Sequence, residues 1–278
     1  MKILRRKWAN VARGDTFTLY PLGDVHLGNQ ASDERLFRAV VQRIAEDDTA
    51  LWVGMGDYCD FINMSDPRFD PASLASWVTM AHVGDLAGAQ SGRFLDIVDP
   101  IAGKCLGLLE GNHERAIHKH YERSIYSDIV AGVKQRGGFP VEHQLAFGYS
   151  GWLMLHFHQR EIGSKPSHML RVSLHHGFVG GKLAGAKALN MQRWLWCHDC
   201  DLAIFGHSHN TMVQVEAVER VRGNQVVHDH RIGMYAGTFM NGARYSEKAG
   251  FFPLPITQPH IALRPWAKEH RDRVRVVA

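Results

Sequence analysis

The sequence is organised around Leu108-Leu109-Glu110-Gly111-Asn112-His113-Glu114, which follows an apolar run that begins near Cys105. The apolar part predicts a short buried strand. The glycine after it predicts a tight turn that displays an amide, an imidazole and a carboxylate. If other strands end in the same way, their polar side chains should meet these groups at one edge of a sheet, where open α/β proteins bind ligands.

Two earlier strands are predicted to end in this way. Residues 16–22 alternate between polar and apolar types, which is typical of a strand, and they stop at Gly23-Asp24-Val25-His26. Residues 50–55 are apolar on both faces, as a central strand is, and they stop at Gly56-Asp57-Tyr58-Cys59-Asp60. Acidic side chains therefore follow both strands at their carboxyl ends.

The segments between these strands are predicted to be helical, which makes a βαβ unit. Ser32 is expected to cap a helix whose apolar residues recur at helical spacing over 36–44. Residues 61–104 form an excursion with two weak helical stretches, 73–87 and 92–98. We interpret this excursion as a crossover connection or as a lid that shapes a substrate pocket. Residues 115–135 predict one continuous helix.

The second half of the chain is predicted to be mostly β-structure. Strands are expected over residues 152–158, 169–175, 201–205, 211–221, 225–235 and 261–263. The second of these ends at His175-His176-Gly177 and the third at Gly206-His207-Ser208-His209. A turn is predicted over 163–167 and a helix over 182–196. The basic tail, 264–278, is predicted to be a surface strap or a frayed end of a single domain, 1–278.

The composition indicates an ordinary soluble globular protein, with 278 residues, 45% hydrophobic and 22% charged. The formal charge of +4 permits an anionic substrate but does not demand nucleic acid. No stretch approaches the ~20 apolar residues of a membrane span, and residues 1–8 lack the apolar run of a signal peptide. The four cysteines are therefore expected to be free thiols in a reducing cytoplasm.

Five predicted strand ends carry side chains of the kinds that bind metal ions. These are Asp24, His26, Asp57, Asn112, His176, His207 and His209. Oxygen and nitrogen donors without a thiolate favour a divalent transition ion such as Mn, Fe, Co, Ni or Zn. Seven ligands are too many for one ion but suit two ions that share a carboxylate. Such a pair, ~3.5–4 Å apart, clamps a phosphoryl oxygen and lowers the pKa of a bridging water, which attacks as hydroxide.

The five blocks, in this order between residues 19 and 210, resemble the motifs of the calcineurin-like metallophosphoesterases. One block alone would be weak evidence, because Gly-Asp pairs are common, but five in order at strand ends form a specific pattern. The resemblance implies an α/β fold, a four-layer α/β/β/α sandwich of two mixed sheets flanked by helices. It also implies a dinuclear metal site along one edge of the sandwich.

The resemblance implies a role for each residue of the blocks. One ion would be held by Asp24, His26 and His209, the other by Asn112, His176 and His207, with Asp57 bridging both. His113 would face the scissile phosphate and protonate the leaving alkoxide. Asp60 would orient or charge-support His113. Arg115 is a candidate phosphate contact, and Glu114 is expected only to support the turn or the following helix.

Several histidines and cysteines leave alternatives open. His176 is favoured over His175 as the ligand, because in the family the ligand directly precedes the glycine; His175 should then pack against the sheet. His118 and His120 are interpreted as solvent-facing, with His118 the better candidate of the two for a substrate contact. His156 and His158 are interpreted as structural, with the rim of the site as the alternative, and His228 and His230 as structural, with the lining of the pocket as the alternative. The segment 197–200, with a cysteine at each end, is interpreted as the end of a helix, since the second ligand pair of a zinc site is missing.

The implied function is hydrolysis of a phosphate ester with two divalent ions, manganese first among them. The third and fifth blocks resemble those of the phosphodiesterase and nuclease branches, which favours a nucleotide or nucleic acid substrate. A phosphomonoesterase or a protein phosphatase is the alternative. Protein phosphatases, however, carry Arg where this chain has Phe61 and Asp where it has Glu114. A non-catalytic metal-binding scaffold, or a nucleic-acid-binding module that uses the basic termini, is an alternative of another class.

Overall fold

The computed structural model describes residues 1–121, 124–161, 168–177, 183–242, 256–269 and 272–277. Their strands are β1 (Lys2–Trp8), β2 (Phe17–Leu22), β3 (Ala50–Gly54), β4 (Cys105–Leu109), β5 (Ala146–Gly148), β6 (Ser150–Phe157), β7 (His168–His175), β8 (Leu202–Phe205), β9 (Val213–Arg222), β10 (Gln225–Tyr235), β11 (His260–Leu263) and β12 (Val274–Val277). Their α-helices are α1 (Glu34–Glu46), α2 (Met80–Val83), α3 (Leu86–Val98), α4 (Asn112–Tyr121), α5 (Ile125–Arg136) and α6 (Ala184–Cys197).

These strands form two mixed sheets. The first sheet has the order β12-β11-β2-β3-β4-β5, and the second has the order β1-β6-β7-β8-β10-β9. In the first sheet β2, β3, β4 and β5 run parallel, whereas β11 is antiparallel to both β2 and β12. In the second sheet β7, β8 and β10 are parallel to one another, and β6 and β9 run antiparallel to their neighbours β7 and β10.

Alternation along the central strands divides the core into three apolar layers. Trp52 of β3 faces the helical side of the first sheet, where it joins residues of α1, α3 and α5. Its neighbour Val53 faces the opposite side and packs between the two sheets with Leu155 and Ile204 of the second sheet. On the far side, Met191 of α6 packs on the second sheet. Helices, sheet, sheet and helix thus form four layers, which confirms the predicted fold class.

The N-cap of α1 differs from the prediction. Ser32 was expected to cap the helix, but the carboxylate of Asp33 accepts the N–H of Leu36 at 2.9 Å. The hydroxyl of Ser32 instead donates to the carbonyl of Val25 at 2.7 Å. Because Asp33 lies one position later, its side chain reaches the first turn, whereas the Ser32 hydroxyl is already bonded to the preceding loop.

The single helix predicted over 115–135 is two helices, α4 and α5. The break coincides with Ser124, whose hydroxyl accepts the N–H of Ser127 at 3.3 Å and so caps the start of α5. Serine favours such caps because its side chain competes for main-chain donors. The long excursion is also divided differently: α2 is a single turn, and Asp85 begins a longer α3 by accepting the N–H of Gly88.

Three strands at the sheet edges were not predicted. The basic segment at the N-terminus is β1, which pairs in parallel with β6, and residues 146–148 form β5 beside β4. The predicted strap or frayed tail over 264–278 includes β12, which pairs with β11 and buries Val274. β1 and β12 mix basic with apolar residues and β5 has only three residues, so none of them shows a clear strand pattern and pairing with a neighbouring strand decides their structure. The turn predicted over 163–167 lies outside the described residues.

None of the helices in the described part of the chain has the length and apolar character needed to span a bilayer. The remaining predicted elements are confirmed to within a few residues. These are the strands at 16–22, 50–55, 105–109, 152–158, 169–175, 201–205 and 261–263, the helices at 36–44 and 182–196, and the hairpin of β9 and β10.

Candidate metal centre

The carboxyl ends of strands from both sheets meet at one edge of the sandwich. The loops after β2, β3 and β4 come from the first sheet, and the loops after β7 and β8 come from the second. Two backbone contacts join these loops across the sheets. The N–H of His207 donates to the carboxylate of Asp24 at 2.8 Å, and the ring of His176 contacts the carbonyl of Met55 at 2.7 Å.

The backbone is held in an unusual conformation at this edge. Seven non-glycine residues in the described part of the chain have a positive φ. Five of them belong to the predicted ligand set: Asp24 at 48°, His26 at 47°, Asp57 at 52°, His207 at 65° and His209 at 52°. Each such residue costs roughly 1–3 kcal/mol, and residues of this kind concentrate at functional sites.

One group of donor atoms comprises Asp24, His26 and His209, whose atoms all lie within 4.8 Å of one another. The Nε2 atoms of the two histidines are 3.1 Å apart, and His209 Nε2 is 3.6 Å from Asp24 Oδ1. Thr238 fixes the second histidine, since its hydroxyl donates to the Asp24 carbonyl and therefore accepts from His209 Nδ1 at 3.2 Å. The lone pair of His209 Nε2 consequently points at His26.

A second group comprises Asp57, His176 and His207, again within 4.8 Å. His176 Nδ1 faces the Met55 carbonyl, so this nitrogen carries the proton and Nε2 faces the site. His176 Nε2 lies 3.0 Å from Asn112 Oδ1 and 3.3 Å from Asp57 Oδ2. Asp57 Oδ2 is also 3.8 Å from His26 Nε2 in the first group. The carboxylate of Asp57 therefore lies between the two groups.

The chemistry of these donors fits bound cations. Asp24 and Asp57 are fully buried, and within the described part of the chain their ion-pair partners are all histidines. Burial lowers the pKa of His26 and of His209, which favours the neutral imidazoles that bind metals. The Nδ1 atoms of His26 and His207 are buried without a hydrogen-bond partner. Buried carboxylates that lack Lys or Arg partners need positive charge from elsewhere.

His176 shows the same demand for positive charge. Burial alone would lower its pKa, but the carboxylate of Asp57 and then that of Asp24 outweigh burial and raise it to about 10. The same attraction holds the pKa of Asp57 well below its usual range against the effect of burial. Burial raises the pKa of Asp24 well above its usual range. A cation between these oxygens and nitrogens would replace the proton that the protein otherwise places there.

Glu114 joins, by hydrogen bonds, two of the loops that carry these donor residues. Its buried carboxylate accepts the N–H groups of Asp57 at 3.0 Å, Tyr58 at 2.8 Å and Gly111 at 2.8 Å. Burial, and then repulsion by Asp57, raise its pKa to about 7. The approach is so close that a Cβ on Gly111 would lie 2.2 Å from Asp57 Oδ1. Support of a turn was predicted for Glu114; the structure adds that it joins two loops.

His113 and Asp60 meet in a different way from the one predicted. The ring Nδ1 of His113 contacts the main-chain carbonyl of Asp60. The main-chain N–H of His113 donates to Asp57 Oδ1 at 2.9 Å. The carboxylate of Asp60 instead accepts from Asn29 Nδ2 at 3.1 Å and lies 3.6 Å from His26 Nδ1. The turn at residues 57–60 directs the carbonyl towards His113, and a carboxylate oxygen of Asp60 lies within 4.8 Å of ring nitrogens of both His26 and His113.

Besides Thr238, two residues at this site were missed by sequence reasoning. Asn29 is buried behind Asp60, and Tyr149 packs its ring against His176 with centroids 5.3 Å apart. Burial, and then the charge of Asp57, raise the pKa of Tyr149 to about 12, and the nearby Arg115 opposes the shift. Arg115 itself is exposed at the rim of the site. Tyr149 directly follows Gly148 at the end of β5, a strand that was not predicted, and Asn29 lies in the loop beyond His26, away from a strand end.

The remaining histidines lie where structural roles place them. His175 packs on Trp194 with centroids 5.1 Å apart, accepts the N–H of Gly177, and has its pKa lowered to about 4 by burial. His228 pairs with Glu219 on the surface hairpin at 3.1 Å. His156 is half-buried on β6, His158 is buried and His230 is half-buried on β10. The side chains of His118 and His120 lie outside the described residues.

The segment 197–200 ends α6, as predicted. Cys197 is the last residue of the helix and is exposed, whereas Cys200 is buried. Between them, Asp199 pairs with three guanidinium groups, those of Arg171, Arg220 and Arg231. These ion pairs, together with Cys200, anchor the end of the helix to the second sheet.

A scan against protein-family models finds no match, and a search of curated protein sequences finds none either. Two solved structures align with most of this chain. A conserved uncharacterized protein from Streptococcus pneumoniae, described as a predicted phosphoesterase, aligns at 10% identity and a TM-score of 0.34, over 90% of this chain and 84% of its own. An NAD nucleotidase from Haemophilus influenzae aligns at 8% identity and a TM-score of 0.39, over 95% of this chain and 49% of its own. At this level of similarity the two structures do not indicate which reaction this protein catalyses.

Replacement of Glu114 by Gln should destabilise the protein. The amide retains one oxygen acceptor, so its NH₂ group must face main-chain N–H donors that the carboxylate now satisfies. We expect the free energy of unfolding to fall by about 2–4 kcal/mol, measured by urea denaturation. Glu110→Gln is the matched control on the same turn, and its effect should stay within about 0.5 kcal/mol. Equal losses in the two variants would contradict the locking role of Glu114.

Proposed function

We propose that the protein is a metal-dependent phosphoesterase that hydrolyses a phosphate ester, with a phosphodiester favoured. The observation that carries the proposal is the position of the Asp57 carboxylate. Its Oδ2 lies 3.3 Å from His176 Nε2 in one donor group and 3.8 Å from His26 Nε2 in the other. A carboxylate between two sets of nitrogen and oxygen donors is suited to be shared by two cations, and such pairs of ions serve phosphoryl transfer.

The donor groups suggest how the ligands divide. Asp24, His26 and His209 would hold one ion, Asn112, His176 and His207 the other, and Asp57 both. The donor set suits manganese, which we favour, and also Fe, Co, Ni or Zn. When bound, the two ions supply a nucleophile from water near neutral pH and neutralise charge that develops on the phosphoryl oxygens. Both sheets supply ligands, which supports a single domain as the working unit.

His113 is proposed as the acid that protonates the leaving oxygen. A main-chain carbonyl accepts only, so the Nδ1 atom that contacts Asp60 carries a proton. The proton available to a substrate is then the one on Nε2 of the imidazolium form. The ring is held in place by the Nδ1 contact and by the hydrogen bond from the His113 main-chain N–H to Asp57. Arg115, exposed at the rim, is proposed to contact the phosphate as the leaving group departs.

Two variants separate metal binding from acid catalysis. Asp57→Asn should lose bound manganese and hydrolysis together, because the shared carboxylate charge is removed. His113→Gln should keep manganese but lose activity about 10²–10⁴-fold, and more for alkyl than for phenyl leaving groups, since alkoxides need the proton. Metal analysis and steady-state kinetics measure both effects, and the exposed Asp48→Asn is the control. Wild-type hydrolysis by metal-loaded Asp57→Asn would overturn the assignment, and an inert wild-type protein with bound metal would indicate a scaffold.

The ester class is tested with two chromogenic substrates. The resemblance of the third and fifth blocks to the phosphodiesterase branches supports a diester. We therefore expect a higher kcat/KM for bis-p-nitrophenyl phosphate than for p-nitrophenyl phosphate in the presence of manganese. Preference for the monoester would instead identify a phosphomonoesterase.

A further inference from the structure

The excursion that follows the Asp57 loop encloses a cavity of about 420 Å³. Its walls come from three parts of the chain: the segment between β3 and α2, the α2–α3 turn, and α4. The apolar lining includes Met64, Phe69, Leu74, Val83, Ala87 and Ile117. Met64 is 66% exposed, so it lies at the mouth and leaves apolar surface open to solvent. A volume of this size is in the range of small-molecule sites.

The polar groups of the lining are already bonded within the protein. They belong to Asn63 and Asp85. The Oδ1 of Asn63 accepts the N–H and the hydroxyl of Ser65, and the Oδ1 of Asp85 accepts the N–H of Gly88. The cavity therefore offers a ligand mainly apolar contact, with an aromatic ring and an adaptable thioether among its walls.

Two residues of the lining are close along the chain to His113, the residue proposed to protonate the leaving group, and to the carbonyl that it contacts. Ile117 is four residues after His113 on α4, so the two side chains occupy the same face of the helix. Asn63 is three residues after Asp60, whose carbonyl contacts His113 Nδ1. Asp66 belongs to the same segment, and its pKa is lowered first by a hydrogen bond from Arg68 and in smaller part by the charge of His113.

We propose that this cavity binds an aromatic group on the leaving-alcohol side of the phosphate ester. The inference rests on the proposed function, because His113 defines which side the leaving group occupies. Base-specific recognition is not expected, since the lining residues supply few polar atoms that are not already bonded. The substrate class is therefore an ester whose leaving alcohol carries an aromatic ring, held by burial of its apolar surface.

The test uses 2-naphthol as a probe, titrated calorimetrically into metal-free and manganese-loaded protein. Saturable binding is expected in both forms, since the lining includes none of the proposed metal ligands. Ala87→Trp fills the cavity and should weaken binding at least tenfold. Phe69→Ala removes an aromatic wall and should weaken it several-fold even if the first variant folds poorly. Ala81→Trp is the matched control, because Ala81 is exposed on α2 and does not line the cavity.

A kinetic measurement ties the cavity to the substrate. In wild-type protein 2-naphthol should compete with bis-p-nitrophenyl phosphate, and Ala87→Trp should raise KM more than it lowers kcat. Absence of saturable binding, equal binding in the Ala87 and Ala81 variants, or non-competitive inhibition would overturn the proposal. If no ester is hydrolysed at all, the proposed function fails. In that case, binding that is lost only in the cavity variants would still support the aromatic site.

Discussion

The buried carboxylate of Glu114 accepts three main-chain N–H groups and so holds the loop after β3 against the loop after β4. This contact fixes the turn at Asp57, whose carboxylate then lies between two groups of histidines. The same carboxylate accepts the N–H of His113, so the position of the proposed acid depends on it too. Burial of Glu114 is costly, as its raised pKa shows, and the three hydrogen bonds offset part of that cost.

The second constraint is that the site needs both sheets. The carboxylate of Asp24 from the first sheet accepts the main-chain N–H of His207 from the second, and the main-chain carbonyl of Met55 accepts the ring Nδ1–H of His176. The apolar layer between the sheets therefore sets the distance between the two halves of the ligand set. Five of the proposed ligands adopt the left-handed backbone conformation, which non-glycine residues disfavour, so the convergence of their side chains is maintained against local backbone preference.

The sequence was sufficient to predict which polar residues meet at this edge, but not the contacts that support them. The seven proposed donors lie beside glycines at predicted strand ends, which is a local signal, and the family resemblance favoured His176 over His175. The partner of the Asp60 carboxylate could not be predicted, since it depends on how the turn at residues 57–60 rotates relative to His26 and Asn29. Tyr149 and Thr238 reach the site from distant parts of the chain and directly follow Gly148 and Gly237, but they are not of the residue types that commonly bind these metal ions, so they were not predicted.

The predicted elements are those whose hydrophobic periodicity is strong, such as the central strands and α1. The strands that were not predicted, β1, β5 and β12, lie at sheet edges and form because a neighbouring strand is available for pairing. The break between α4 and α5 depends on one serine cap, which is a weak signal within an otherwise continuous helical pattern.

The central claim is that Asp57 lies between two bound cations. Crystals grown with manganese and measured near its absorption edge would test it directly. We expect two anomalous peaks, with the Asp57 carboxylate in contact with both. One should lie beside Asp24, His26 and His209, and the other beside Asn112, His176 and His207. A single peak, or peaks that Asp57 does not contact, would contradict it.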